Sequence, residues 1–144
     1  MSILGTSVSV DTLITIVAVI VLLALIFGVN RLVRRKPKHL NRAYFQRRWQ
    51  ETQSLCSNKD TWPLAVINAD KLLDEALKRS KYKGKTMGER LVAAQHTLTA
   101  NDEVWFGHKL RNKLVHEDFT KLKKKDVVAA LLGFRGALKD LGAL

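Results

Sequence analysis

Hydrophobic positions along this chain follow two different regimes. From Thr12 to Val29 the sequence reads TLITIVAVIVLLALIFGV, eighteen uncharged residues without a polar face. A helix rises ~1.5 Å per residue, so the block spans ~27 Å, close to the ~30 Å hydrocarbon core of a bilayer. Leu32 and Val33 extend the apolar surface, and the Arg31 stem can run along it with its charge at the interface. The pattern predicts a transmembrane helix over 12–33. A secretory signal would need a positive n-region and a small-residue cleavage site. The first eleven residues hold no Lys or Arg, and no A-x-A follows the block.

Beyond Pro37, whose fixed φ and missing N–H interrupt a helix, apolar positions recur every three or four residues. The first such segment runs from about Asn41 to Ser57, with Tyr44, Phe45, Trp49, Thr52, Leu55 and Cys56 on one side. Ser57 to Asp60 reads as a turn. The second segment covers Thr61–Arg79, with Asp60 as expected N-cap and Pro63 in the first turn, where a missing N–H costs little. Ala65, Val66, Ala69, Leu72, Leu73, Ala76 and Leu77 form its apolar face. After a basic loop over 81–85, Thr86 and Glu89 match a capping box that opens a short helix ending near Thr99. Asn101 or Asp102 is placed to cap a fourth helix, and a final one covers Lys123–Leu141, with Val127, Leu131, Phe134, Leu138 and Leu141 in a stripe. No segment alternates with a period of two. The expected fold is all-α: a transmembrane helix followed by an antiparallel four- to five-helix bundle, since short loops favour neighbours packed up and down. The boundaries are 1–11 for a short extracytoplasmic N-terminus, 12–33 for the span, 34–40 for a basic juxtamembrane linker and 41–144 for the bundle.

Charge then orients the chain. All 25 Lys and Arg lie at or beyond Arg31, and only Asp11 among the acids precedes it. Basic flanks stay on the cytoplasmic side, so the sequence predicts a single-pass plasma-membrane protein with its N-terminus outside and its bundle in the cytoplasm. The bilayer and its anionic headgroups are the expected partners of residues 31–48. Arg34, Arg35, Lys36, Arg42, Arg47 and Arg48 are the candidate headgroup or phosphate contacts. Trp49 reads as a core aromatic among them rather than a stacking platform. The single cysteine, Cys56, excludes a disulfide scaffold and reads as a core residue. His39, His96, His108 and His116 show no metal-ligand spacing, and no glycine-rich phosphate loop is present, so neither a metal nor a small-molecule cofactor is expected.

The fourth helix carries the one constellation that suggests chemistry. At ~100° per residue, His108, Arg111, Asn112 and His116 share a face with Val104, Trp105 and Val115. Phe106, Leu110 and Leu114 occupy the other side. Two apolar stripes on one helix call for a second covering surface, which predicts a homodimer. The types suit metal-free RNA cleavage: His as base or acid, Arg as a fork for phosphate oxygens, and Asn, one turn from His116, to orient either. On an ideal helix Arg111 and His116 diverge, so they meet only through the Arg stem or by fraying. Alternatively the same groups form a satisfied polar network capped by Glu117 or Asp118.

The segment from His108 to Glu117 resembles the motif of the HEPN superfamily, an Arg, often a polar residue beside it, and a His after four to six intervening positions. Arg111, Asn112 and His116 fill those places. The stretch WPLAVINADKLLDEALK and the GALKDLGAL ending resemble small bacterial proteins with a HEPN-like bundle. The resemblance implies a helical bundle that pairs its motifs at a dimer cleft and, in many members, a metal-independent endoribonuclease with RNA as its partner. Catalytic roles would fall to Arg111, Asn112 and His116, with His108 in support. Arg34…His39 and Arg90…His96 share the spacing, but Pro37 interrupts the first at the membrane edge and no polar residue stands beside Arg90 in the second. The residues themselves equally allow a non-catalytic, membrane-anchored interaction or dimerisation module that binds a protein, nucleic acid or anionic lipid.

Overall fold

The computed structural model of the chain describes residues 9–33, 40–117 and 121–144. Arg34, Arg35, Lys36, His39 and Asp118, and most of the expected N-terminal segment and linker, lie outside them. Six α-helices and no strand occur among the described residues: α1 Val10–Val33, α2 Arg42–Ser54, α3 Trp62–Arg79, α4 Met87–Ala94, α5 Asn101–His116 and α6 Lys124–Asp140. The chain divides into two units, Met1–Arg35 and Lys36–Leu144.

The first unit is α1. It is the one helix among the described residues long and apolar enough to cross a membrane. Its large side chains are exposed, Val10 at 72% and Phe27 at 69%. A helix that is apolar all round gains nothing from water and needs an apolar surrounding.

The second unit is the bundle. Asn41 opens α2 by accepting the Tyr44 N–H, which satisfies one of the free amides of the first turn. Phe45, Trp49 and Thr52 point inward. The helix expected to continue to Ser57 instead tightens into a 3-10 turn over Leu55–Ser57. A second such turn covers Lys59–Thr61 and contains Asp60. Asp60 therefore does not cap α3. Thr61 holds that position, with its hydroxyl donating to the Leu55 and Asn58 carbonyls. The whole predicted face of α3 is buried, together with Asp70.

Thr86 caps α4 by accepting the Glu89 N–H at 3.2 Å. The Glu89 carboxylate reaches back one residue further than the reciprocal bond of a capping box, accepting from the Lys85 N–H at 2.6 Å. This helix stops at Ala94, short of Thr99. Neither Asn101 nor Asp102 caps α5. Ala100 is the N-cap, and the Asn101 amide is spent tying the preceding turn, donating to the Gln95 and Leu98 carbonyls.

Between α5 and α6 the backbones meet at two glycines. A Cβ at Gly107 would lie 2.7 Å from the Phe134 ring, and one at Gly133 would lie 2.7 Å from the Glu103 backbone. This crossing corrects the two-stripe reading of α5. Val104 and Leu110 are buried at 1% and 6% exposure, on either side of buried Gly107. Leu114 packs against the same core. They form one arc, while Phe106 stands outside it at 41% exposure. The apolar pattern missed the centre of the arc because a glycine contributes no hydrophobic side chain.

Candidate functional site

Asp70 lies in the row Val66, Ala69, Leu73 and Leu77 on α3, so helix geometry alone drives its carboxylate into the core, where it is 3% exposed. A buried charge there needs partners, and α5 supplies them. His108 Nδ1 sits 2.8 Å from Asp70 Oδ1. Arg111 Nε approaches Asp70 Oδ2 at 3.5 Å, an ionic contact rather than a hydrogen bond. The Arg111 guanidinium in turn donates to Asn112 Oδ1 at 3.0 Å, and Asn112 Nδ2 faces His108 Nε2 at 3.5 Å. Four side chains thus close a ring from Asp70 through His108, Asn112 and Arg111 and back.

The ring is internally consistent. If His108 donates from Nδ1 to the carboxylate, Nε2 is left as acceptor for the Asn112 amide. That orientation presents the Asn112 oxygen to Arg111. The formal charges of Asp70 and Arg111 cancel. Trp105 meets the imidazole edge-on, with ring centroids 6.0 Å apart. Side-chain exposure is 4% for Asp70, 12% for His108 and 25% for Arg111. A His–Asp pair is the arrangement that activates a base, but here the second ring nitrogen faces a protein amide.

His116 is not part of this ring. It is the last residue of α5, is exposed, and its side chain makes no hydrogen bond or ion pair with other described residues. Arg111 turns toward Asp70, and the bond expected between Asn112 and His116 is replaced by bonds of Asn112 to Arg111 and His108. Glu117, expected as a cap of the polar network, is exposed, and Asp70 fills that role. Sequence reading missed Asp70, although a carboxylate within an apolar helical row is itself the signal of a buried partner.

The second motif match resolves in the same way. Arg90 is buried at 6% exposure, with Nε donating to Asp74 at 2.7 Å and the guanidinium to the Gly84 carbonyl at 2.6 Å. Asp74 also pairs with Lys78 at 2.7 Å. Burial pushes the Asp74 carboxyl up, but hydrogen bonds and charge from Arg90 and Lys78 outweigh it and hold the group below the usual carboxylate range. His96 is exposed and has no share in this pair.

Of the other basic candidates, Arg42 donates to the Leu144 carbonyl at 2.9 Å and Arg48 pairs with Glu51 at 2.8 Å. Arg47 is exposed. Trp49 is a core residue at 6% exposure. Burial pushes the half-buried Cys56 thiol up, which disfavours the nucleophilic thiolate. Among the described residues, no group of three or more His, Cys, Asp or Glu is placed to hold a metal. No family model matches this chain, and no curated protein or solved structure matches it.

Proposed function

We propose that this is a single-pass membrane protein that presents its helical bundle to the cytoplasm as a non-catalytic interaction module. The observation that carries the reading is the closed ring on Asp70. RNA cleavage needs a base, an acid and a cation that are free to meet the substrate. Here His108, Asn112 and Arg111 bond one another and a buried acid, and His116 stands apart from them. The one-sided basic flank of α1 supports the orientation. Full-length protein in detergent micelles, incubated with single-stranded RNA in chelator, is expected to leave the RNA intact. Cleavage that disappears in His116→Ala would refute the reading. Orientation is checked by maleimide labelling of intact cells carrying Ser2→Cys or Lys83→Cys with Cys56→Ala. Label at Ser2→Cys alone is expected, and label at Lys83→Cys alone reverses the topology.

A second reading keeps the HEPN-like resemblance: a metal-independent endoribonuclease whose cleft is completed by a second copy. Exposed His116 favours it, because that imidazole is open to a motif on another chain. Light scattering on the full chain tests it. The enzyme reading requires a dimer, and a monomer at tens of micromolar, roughly the scale of weak association, contradicts it.

A further inference from the structure

The bundle has two distinct ends. The chain enters at Leu40, and Arg42 ties the C-terminus to that end through the Leu144 carbonyl at 2.9 Å. From there α2 leads away for 13 residues, about 20 Å, and α6 returns over 17 residues, about 25 Å. At the far end, a cleft of about 820 Å³ opens between the turn before α3 and the start of α6. That volume is within the ~300–1,000 Å³ range of ligand clefts. Among the described residues its wall carries Lys59, Lys121, Lys123 and Lys124 and one carboxylate, Asp60, with Trp62 among them.

What marks this wall is the gathering of four lysines, none paired with an acid among the described residues, around one aromatic ring. Trp62 is only partly buried, and its indole N–H donates to the Cys56 carbonyl at 3.0 Å, which fixes the ring at the cleft. A positioned aromatic ring among uncompensated cations suits a ligand that alternates planar bases with phosphates.

We infer that this cleft binds single-stranded nucleic acid, one base stacked on Trp62 and neighbouring phosphates on Lys59, Lys121, Lys123 and Lys124. The inference deepens the interaction-module reading by naming its partner, and it rests on that reading. Cleavage and topology are measured separately, so either claim can fail without the other.

The test is fluorescence anisotropy of full-length protein in neutral detergent micelles with a labelled twelve-nucleotide oligo(U). Binding should weaken with salt, with log K falling against log salt at about −0.7 per phosphate contacted. The Lys121→Ala, Lys123→Ala, Lys124→Ala variant should bind at least about tenfold more weakly and lose roughly two units of that slope. A matched variant that removes equal charge elsewhere, Lys71→Ala, Lys109→Ala, Lys139→Ala, should bind like the wild type. Trp62→Phe, which keeps a ring, should retain affinity. Trp62→Leu, checked for folding by its melt, should lose about fivefold or more. Equal weakening by the two triple variants overturns the assignment, since net charge alone would then explain binding. Uridine monophosphate displacing the oligomer at equal concentration also overturns it, in favour of a single-nucleotide site. Stronger competition by vesicles of anionic lipid than by unlabelled oligo(U) overturns it in favour of headgroups.

Discussion

Asp70 and Asp74 sit one turn apart on α3, and each holds an arginine from another helix, yet the two pairs are built differently. Asp74 is 17% exposed and meets two cations, Arg90 and Lys78, both at 2.7 Å. Asp70 is deeper, at 4%, and has one formal cation at 3.5 Å, with His108 and Asn112 completing the ring. The more buried acid thus has its arginine at the longer distance, and its close contact is with an imidazole. Both arginines belong to an Arg–His spacing in the sequence, and in both cases the arginine faces an acid on α3 and not its histidine. Spacing within a helix reports which residues are near in the chain. The partner that decides the chemistry comes from elsewhere in the chain.

The largest expected effect separates the two pairs directly. Asp74→Ala leaves Arg90, at 7% side-chain exposure, with only the Gly84 carbonyl as acceptor. Removing one partner of a buried pair costs about 3–5 kcal/mol, so chemical denaturation should show a loss in that range. Asp70→Ala should cost less, about 2–3 kcal/mol, because Arg111 is 25% exposed and can regain water. Equal losses would mean that the ring compensates Asp70 as fully as Arg90 and Lys78 compensate Asp74.

Gly107→Ala probes the ring from its other side. The new methyl would press on Phe134 and move α5, which carries three of the four ring residues, while Asp74 and Arg90 lie on α3 and α4. Overpacking typically costs about 1–3 kcal/mol. The signal of His108 in an NMR spectrum should shift, whereas the Arg90 guanidinium signal should not.

How much of this was legible beforehand follows from where each determinant acts. The apolar face of α3 could be read because seven aliphatic side chains repeat at helical spacing, and all seven are buried. Thr86 and Glu89 signalled the start of α4 because capping is local, although the glutamate bonds one residue away from the expected amide. Asp60 misled because the cap depends on backbone dihedrals, and the 3-10 turn over Lys59–Thr61 shifted the start of α3. Arg111 and Asn112 neighbour His108, in keeping with the helix face they share. Asp70 was hidden by 38 residues of separation, and the exposed end of α5 left His116 outside.

A smaller effect comes from pH. The folded-state value of Asp74 lies below its ordinary one, so its contribution is present above about pH 4, the unfolded range, and is lost as pH falls through the folded value. Acid titration followed by circular dichroism should therefore show declining stability below about pH 4, and Asp74→Asn should flatten that decline. An unchanged acid limb in Asp74→Asn would place the titrating group elsewhere. The smallest expected change is His116→Ala, an exposed position at a helix end, within about 0.5 kcal/mol of wild type.

The central claim is that the polar residues of α5 hold the bundle together through Asp70. Its most direct test is a double-mutant cycle on Asp70→Ala and His108→Ala in the full-length protein, read by thermal melts in detergent beside an RNA-cleavage assay. The account predicts a coupling of about 1–3 kcal/mol between the two positions, with no cleavage by the wild type. Additive losses, together with RNA cleavage that vanishes in folded His116→Ala, would contradict it.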